Sequence, residues 1–353
     1  MKKILIVKTS SLGDIIHCYD VLRYIRTLYP DVQIDWVVEE RNAELIANHP
    51  WVNRAILIST SKWRKSPFSK KTHLEIKEAR KQLRQENYDV AFDLQGNIKS
   101  GLILSQVRST HKVGFGFKTV PEWPNLFFTK FRFNPPKGQN IKEDYLSIVR
   151  SYFSEIPQKK SNEQVLLKIS SEEQLKVNNI LEQSTATTKV MVCPGSIWPN
   201  KQLPLDVLLN FLKLMKKEKP LQFFQFFFVW GSQKELEMAR QLRESFTDSV
   251  LVDKMQLSSL QNLMIGCDLV IAMDSLPLHL AGTTNTPTYS VFGASSALKY
   301  KPEGKRHLAL QGTCPYGVTF EKRCPRLRTC ATGACIRALT AEEIYAHFKN
   351  RSL

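Results

Sequence analysis

Ile4-Leu5-Ile6-Val7 is an apolar, β-branched run, Lys8 to Asp14 is a polar turn containing Gly13, and Ile15, Ile16, Val21, Leu22, Ile25 and Leu28 then recur at helical spacing. No other stretch restricts the fold as much. Strand, glycine-containing loop and helix in this order form the opening unit of a doubly wound α/β domain, whose chemistry sits outside the carboxyl ends of the strands. Asp14 stands at such an end, with His17 three residues on and on the same side of the helix. The amide dipoles alone favour an acid in a first helical turn, so Asp14 reads as a cap unless partners for it occur elsewhere.

The pattern returns. Gln33–Val38, Ala55–Ile58 and Tyr88–Leu94 read as further strands, and residues 141–153 as a helix. A polar stretch at 157–165 reads as a linker. Lys189–Cys193 then opens a second strand–loop–helix series that continues through Phe223–Trp230, Val250–Val252, Leu269–Met273 and Thr288–Phe292. The Phe223–Trp230 run is too short to span a bilayer and reads as a buried central strand. Pro121 to Phe133 is aromatic and broken by prolines, and carries no assignment. A chain of 353 residues exceeds one ordinary core. The expected division is a domain over 1–160, a linker over 161–185, a domain over 186–338, and a helix over 339–353 able to pack back on the first domain.

The net charge of +17 predicts an acidic partner: nucleic acid, a phosphorylated small molecule or an anionic membrane surface. Nucleic acid is disfavoured, since the cations are spread along α/β units with no Cys/His finger or RNA-recognition aromatics. Of seven cysteines, Cys18, Cys193 and Cys267 lie in or beside apolar segments and read as buried. Cys314, Cys324, Cys330 and Cys335 crowd a polar stretch at spacings unlike paired Cys-x-x-Cys knuckles. For these four, packed or free thiols, a structural zinc and a disulfide all stay open. No secretion segment precedes the first strand, which points to a reducing cytosol.

Strand-end loops of the second series share one chemistry. Pro194-Gly195-Ser196 with Lys201 offers close backbone approach, a hydroxyl and a mobile cation suited to phosphate. Glu235, after Trp230-Gly231-Ser232, suits either a helix start or a sugar hydroxyl. Asp274 and Ser275 end a strand ahead of a helix start that contains His279 and supplies free amides. Gly293 opens one more loop of glycine and hydroxyls. Together they point to a phosphorylated, nucleotide-like ligand. Neither a P-loop nor a Gly-x-Gly-x-x-Gly pattern occurs.

Ser10 to His17, Asp93-Leu94-Gln95-Gly96-Asn97-Ile98-Lys99-Ser100, Pro194 to Lys201 and Asp274 to His279 together resemble the lipopolysaccharide heptosyltransferases, inverting enzymes of the GT-B glycosyltransferase class. The resemblance runs over nearly the whole chain and is greatest to the first heptosyltransferase, which adds heptose to Kdo; the second adds the next heptose. It implies two Rossmann-like domains facing a central cleft, ADP-heptose as donor, and Kdo-lipid A as acceptor. Asp14 would be the general base and Lys201 would neutralise the leaving diphosphate. Ser196, Glu235, Asp274, Ser275, His279 and Gly293 would hold the donor, Glu235 at the ribose. Ser11, Gly13, His17, Gln95, Lys99, Lys62 and Arg64 would face the acceptor. No metal cofactor is implied. The expected enzyme is a monomer, peripheral on the cytoplasmic face of the bacterial inner membrane. There the basic segment around Lys62, Arg64, Lys65, Lys70 and Lys71, with Trp63 and Phe68, would dock on anionic lipid. Two positions depart from the family pattern: Leu276-Pro277 follow Asp274-Ser275 in place of Gly-Leu, and Asn140 stands where His is usual.

Overall fold

The first apolar run forms strand β1, Lys3–Val7, at the middle of a parallel sheet. The protein is described here from a computed structural model covering residues 1–155, 164–183, 188–218 and 224–350. With β1 pair β2 (Gln33–Glu39), β3 (Arg54–Ile58), β4 (Val90–Asp93), β5 (Lys112–Phe115) and β6 (Phe131–Phe133), in the order β3-β2-β1-β4-β5-β6. Ile4, Leu5, Ile6 and Val7 have no exposed surface. A strand covered on both faces has no polar side to show, so its sequence is continuously apolar rather than alternating.

The second sheet repeats this winding. It contains β7 (Thr188–Cys193), β8 (Phe224–Phe228), β9 (Val250–Leu251), β10 (Leu269–Met273), β11 (Thr288–Phe292) and β12 (His307–Gln311), in the order β12-β11-β10-β7-β8-β9. Both Rossmann-like sheets of the expected fold class are therefore present, and every pairing between their strands is parallel. The strand order of each sheet reverses once, between β1 and β4 and between β7 and β10. Ligands of doubly wound sheets bind outside the carboxyl ends of the strands at that reversal. The four motifs that carry the family resemblance all begin there.

The chain divides into two compact units, Met1–Lys168 and Ile169–Leu353. Helix Ser171–Glu182, inside the span expected to be linker, belongs to the second unit: Glu173 accepts from Ser259 Oγ at 3.3 Å, and Leu181 lies against Gly266. The polar stretch at 157–165 falls mostly outside the described residues. The C-terminal helix Ala341–Asn350 belongs to the second unit. Ala341, Ile344 and Tyr345 join the second unit's core beside Phe211 and Tyr289, and Tyr289 Oη donates to the Ile344 carbonyl at 3.0 Å. Its apolar stripe is used up there.

Strand β12 escapes a reading by pattern because it is a half-exposed edge whose apolar run, Leu308 to Leu310, is too short to stand out. Residues 121–133 become a 3₁₀ segment, Trp123–Phe128, and edge strand β6; Pro124 at the start of the 3₁₀ turn hides both periods.

Candidate active site

At the first reversal the residue after β1 is Lys8, 3% exposed. Its ammonium donates to Tyr145 Oη at 3.0 Å and lies 4.6 Å from the centre of that ring. Tyr145, on helix Ile141–Phe153, donates its hydroxyl proton to Asp14 Oδ1 at 3.3 Å. The other carboxylate oxygen accepts from Ser11 Oγ at 2.7 Å and from the Ser11 amide at 3.3 Å, closing a capping box on helix Leu12–His17. Asp14 is thus both a cap and a half-exposed carboxylate fixed from two sides. Neither Lys8 nor Tyr145 stands out in the sequence; the one signal for Lys8 is that it directly continues a fully buried strand. Asn140, at the family's His position, caps the Tyr145 helix by accepting from the Lys142 amide at 3.1 Å.

The Asp93-to-Ser100 motif builds this loop rather than reaching beyond it. Asp93 is fully buried and accepts from the amides of Gln95 and Gly96 at 2.9 Å, and from Ser100 Oγ and Asn125 Nδ2 at 2.7 Å. Burial pushes its carboxyl above the usual range, against those donors. Gln95 Oε1 accepts from the amides of Thr9 and Ser10, each at 3.2 Å, and so ties the Asp14 loop to β4. Lys99 pairs at 3.0 Å with Glu39, a buried carboxylate at the end of β2 that pattern reading passed over.

Other expected acceptor residues divide. Ser11 is exposed and Gly13 half-buried. His17 is 3% exposed, on the inner face of its helix, so the shared side inferred from i, i+3 spacing does not bring it to the surface with Asp14. Lys62 is exposed and pairs with Glu40 at 2.5 Å; Arg64 is exposed. Trp63, expected at a membrane surface, instead donates its indole N–H to Glu75 at 2.8 Å and packs on the core beneath.

At the second reversal a buried ion pair replaces the mobile cation expected of Lys201. Lys201 and Asp274, 7% and 5% exposed, meet at 2.5 Å between Nζ and Oδ2. Ser295 Oγ also donates to Oδ2, and His279 Nε2 lies 3.3 Å from Oδ1. Burial by itself would raise the Asp274 carboxyl, but His279 and Lys201 outweigh it and hold it well below the usual range. Ser196 is half-buried beside the pair's loop. Ser275 precedes the six-residue helix Leu276–Ala281, and Pro277 removes one of its leading amide donors.

Glu235 starts the helix Gln233–Ser245: its Oε2 accepts from the amides of Gly231 and Ser232 at 2.8 and 3.0 Å. Oε1 faces Gly195 so closely that a Cβ there would lie 2.2 Å away, which explains the glycine without any ligand. Gly293 is likewise a packing position, pressed on the Asn200 carbonyl and on Ile336.

The cysteine stretch braces the same place from behind. The Cys324 amide donates to the Ala294 carbonyl at 2.9 Å, and Asn200 Nδ2 donates to the Leu327 carbonyl at 2.8 Å, one residue from Lys201. All seven cysteines are free thiols, with Cys18, Cys193 and Cys267 buried. Burial and then the neighbouring Cys314, Cys330 and Cys324 push Cys335 up to about 11, while the Gly333 amide pulls Cys330 down. Among the described residues no three His, Cys, Asp or Glu side chains gather as a metal site, so the zinc reading finds no support in this geometry.

The model of glycosyltransferase family 9 (heptosyltransferase) matches residues 76–329. The chain belongs to this family. As a member it is a glycosyltransferase, and its relatives agree along most of its length. It is 28% identical over 311 residues to lipopolysaccharide heptosyltransferase 1 of Campylobacter coli, covering 84% of this chain and 85% of that one. It is 26% identical over 322 residues to the enzyme of the same name from Pseudomonas aeruginosa, covering 91% and 87%. Its fold matches that of an E. coli heptosyltransferase solved with ADP, at a TM-score of 0.76 and 23% identity, over 99% of this chain and all of the other. A family 9 glycosyltransferase from Veillonella parvula superposes with a TM-score of 0.79 at 17% identity, over 99% of this chain and 97% of that one.

Proposed function

We propose that the protein transfers L-glycero-D-manno-heptose from ADP-heptose to a Kdo hydroxyl of Kdo-lipid A, inverting the anomeric centre, in assembly of the lipopolysaccharide inner core. The observation that carries this reading is the Asp14 carboxylate, half-exposed at the first reversal and fixed by Ser11 and Tyr145. Relatives named lipopolysaccharide heptosyltransferase 1 support the choice of donor and acceptor. Asp14 takes the acceptor proton as its oxygen attacks the anomeric carbon and the ADP oxygen leaves, one bond forming as the other breaks. The positive end of the Lys201–Asp274 pair, with Ser196, receives the diphosphate charge. Glu235 Oε1, Asp274, Ser275 and His279 lie in the loops that would hold the rest of the donor. Lys99, Lys62 and Arg64 offer cations to the acceptor's carboxylates and phosphates.

A second reading, addition of the next heptose, rests on the Cys-Pro and the later cysteine, Cys324-Pro325 and Cys335, which resemble the tail of second-type enzymes. The deciding experiment supplies ADP-heptose with either Kdo-lipid A or heptosyl-Kdo-lipid A and follows products by mass. A heptose added only to the second acceptor would sink the first reading, and transfer to neither would sink both. We also place the enzyme, as a monomer, at the anionic cytoplasmic surface of the inner membrane, because its acceptor is lipid-borne. Among the described residues no helix is long and apolar enough to cross a membrane.

A further inference from the structure

Four large apolar side chains of the first unit stand in solvent on two elements packed together. Ile98 and Leu102, one turn apart on helix Ile98–Ser105, are 43% and 56% exposed; Trp123 and Phe127, on the adjoining 3₁₀ segment, are 61% and 74% exposed. The Phe128 ring fills the space over Gly101, Asn125 Nδ2 donates to the Asn97 carbonyl at 2.8 Å, and the Ile98 amide donates to Glu122 at 2.8 Å. The Trp123 and Phe127 rings meet edge to face, 5.3 Å between centroids. Phe117, in the turn that leads into this segment, is 77% exposed. Single exposed apolar residues are ordinary, whereas a contiguous group marks an interaction surface.

Charge along this stretch is mainly positive. Between Ile98 and Asn134 the chain carries Arg108, Lys112, Lys118, Lys130 and Arg132, besides Lys99 which Glu39 pairs, against a single carboxylate of that stretch, Glu122, which the Ile98 amide engages. Lys118, Lys130 and Arg132 are exposed. A second copy of the chain would bring like charges together, while an anionic surface complements them. Aromatic rings flanked by cations suit the headgroup layer of a bilayer, where indole and phenyl enter the acyl boundary and ammonium groups stay among phosphates.

We propose that this edge, rather than the basic segment 62–71, seats the enzyme on an anionic lipid bilayer. Trp123 and Phe127 enter the interface, and Lys118 and Lys130 lie among the phosphates. The proposal names the docking surface for the lipid-borne acceptor reading above and rests on it. The segment 62–71 is less suited: Trp63 is engaged by Glu75 and the core, Lys62 by Glu40, and Phe68 is the one ring it exposes among the described residues.

The test floats the purified full chain, without nucleotide or acceptor, on phosphatidylcholine vesicles with and without phosphatidylglycerol. The parent is expected to float with the anionic vesicles only. Trp123→Ser with Phe127→Ser lowers the partition coefficient at least roughly tenfold, the scale of withdrawing a buried aromatic side chain. Phe127→Ser alone gives a smaller loss, and Lys62→Glu with Arg64→Glu loses less than the aromatic pair. Unchanged melting and unchanged turnover on a water-soluble Kdo acceptor show that the aromatic variants are folded. Full flotation of the double variant, no flotation of the parent, or a dimer in sedimentation that the double variant converts to monomer would each overturn the proposal. Transfer to the soluble acceptor is scored separately, so failure of the heptosyltransferase reading leaves the flotation result interpretable.

Discussion

Tyr145 donates to Asp14 at 3.3 Å while accepting from the buried Lys8 at 3.0 Å, so one hydroxyl links the ammonium that ends the first strand to the carboxylate that begins the first helix. This relay separates holding Asp14 from merely capping a helix, and the two roles predict different outcomes.

Asp14→Ala is expected to fold, to lose about 1 kcal/mol of stability with the cap, and to lose transfer by at least roughly a hundredfold. Ser11→Ala removes the hydroxyl bond to Asp14, keeps the bond from the residue 11 amide, and leaves the carboxylate. Its stability loss should be no larger, and its turnover near that of the parent. If both variants keep parental turnover, Asp14 is a cap and nothing more.

Tyr145→Phe should reduce turnover about tenfold and leave ADP affinity alone. It also strips Lys8 of its hydrogen bond, a buried ammonium whose loss of a partner costs about 1–3 kcal/mol. Adding Lys8→Met to it should recover most of the stability and none of the rate. A double-mutant cycle in urea, read beside steady-state rates, checks this; strict additivity in stability would count against the relay.

Lys201→Ala is expected to weaken ADP binding and turnover together, and to destabilise the fold. It leaves Asp274 buried without its ammonium, a situation that costs about 3 kcal/mol. Lys201→Arg retains a cation and should fall between. ADP affinity unaltered in the Ala variant, measured by calorimetry, would remove Lys201 from the donor site.

A pH dependence follows from His49, away from either reversal. It is 1% exposed, packs edge-on to Tyr19 at 4.5 Å, and accepts from the Trp51 amide. Burial, then Arg23 and Arg26, lowers it to about 3. The unfolded chain takes up a proton near its ordinary value of about 6.5, which the folded chain refuses. Its contribution is therefore whole above about pH 6.5 and lost progressively as pH falls toward 3. His49→Gln should flatten the slope of urea midpoint against pH between these limits; an unaltered slope would exclude it as the source.

Where the candidate site would lie was legible because its signals are local. Glycine, hydroxyl and acid at the end of an apolar run mark a strand-end loop wherever they occur, and all four such motifs lie at the reversals. Buried charge was not legible. Lys201 reads as a mobile cation because Asp274, its partner, is 73 residues away, and nothing between them announces the pairing. Lys8 is enclosed by a helix that begins at Ile141. His17 was misplaced for a related reason: spacing on a six-residue helix gives the angle between two side chains but not which of them the sheet will cover.

Asp274 already holds Lys201, so if the diphosphate of the proposed donor arrives there, it finds the ammonium occupied. Binding is then an exchange of one anion for another, its strength set by a difference and not by the full attraction of a bare lysine. The same exchange runs in reverse once the product forms, with a resident carboxylate beside the ammonium to displace it. An enzyme whose product keeps the phosphates of its donor faces inhibition by that product, and a built-in competitor is one way for the site to let go.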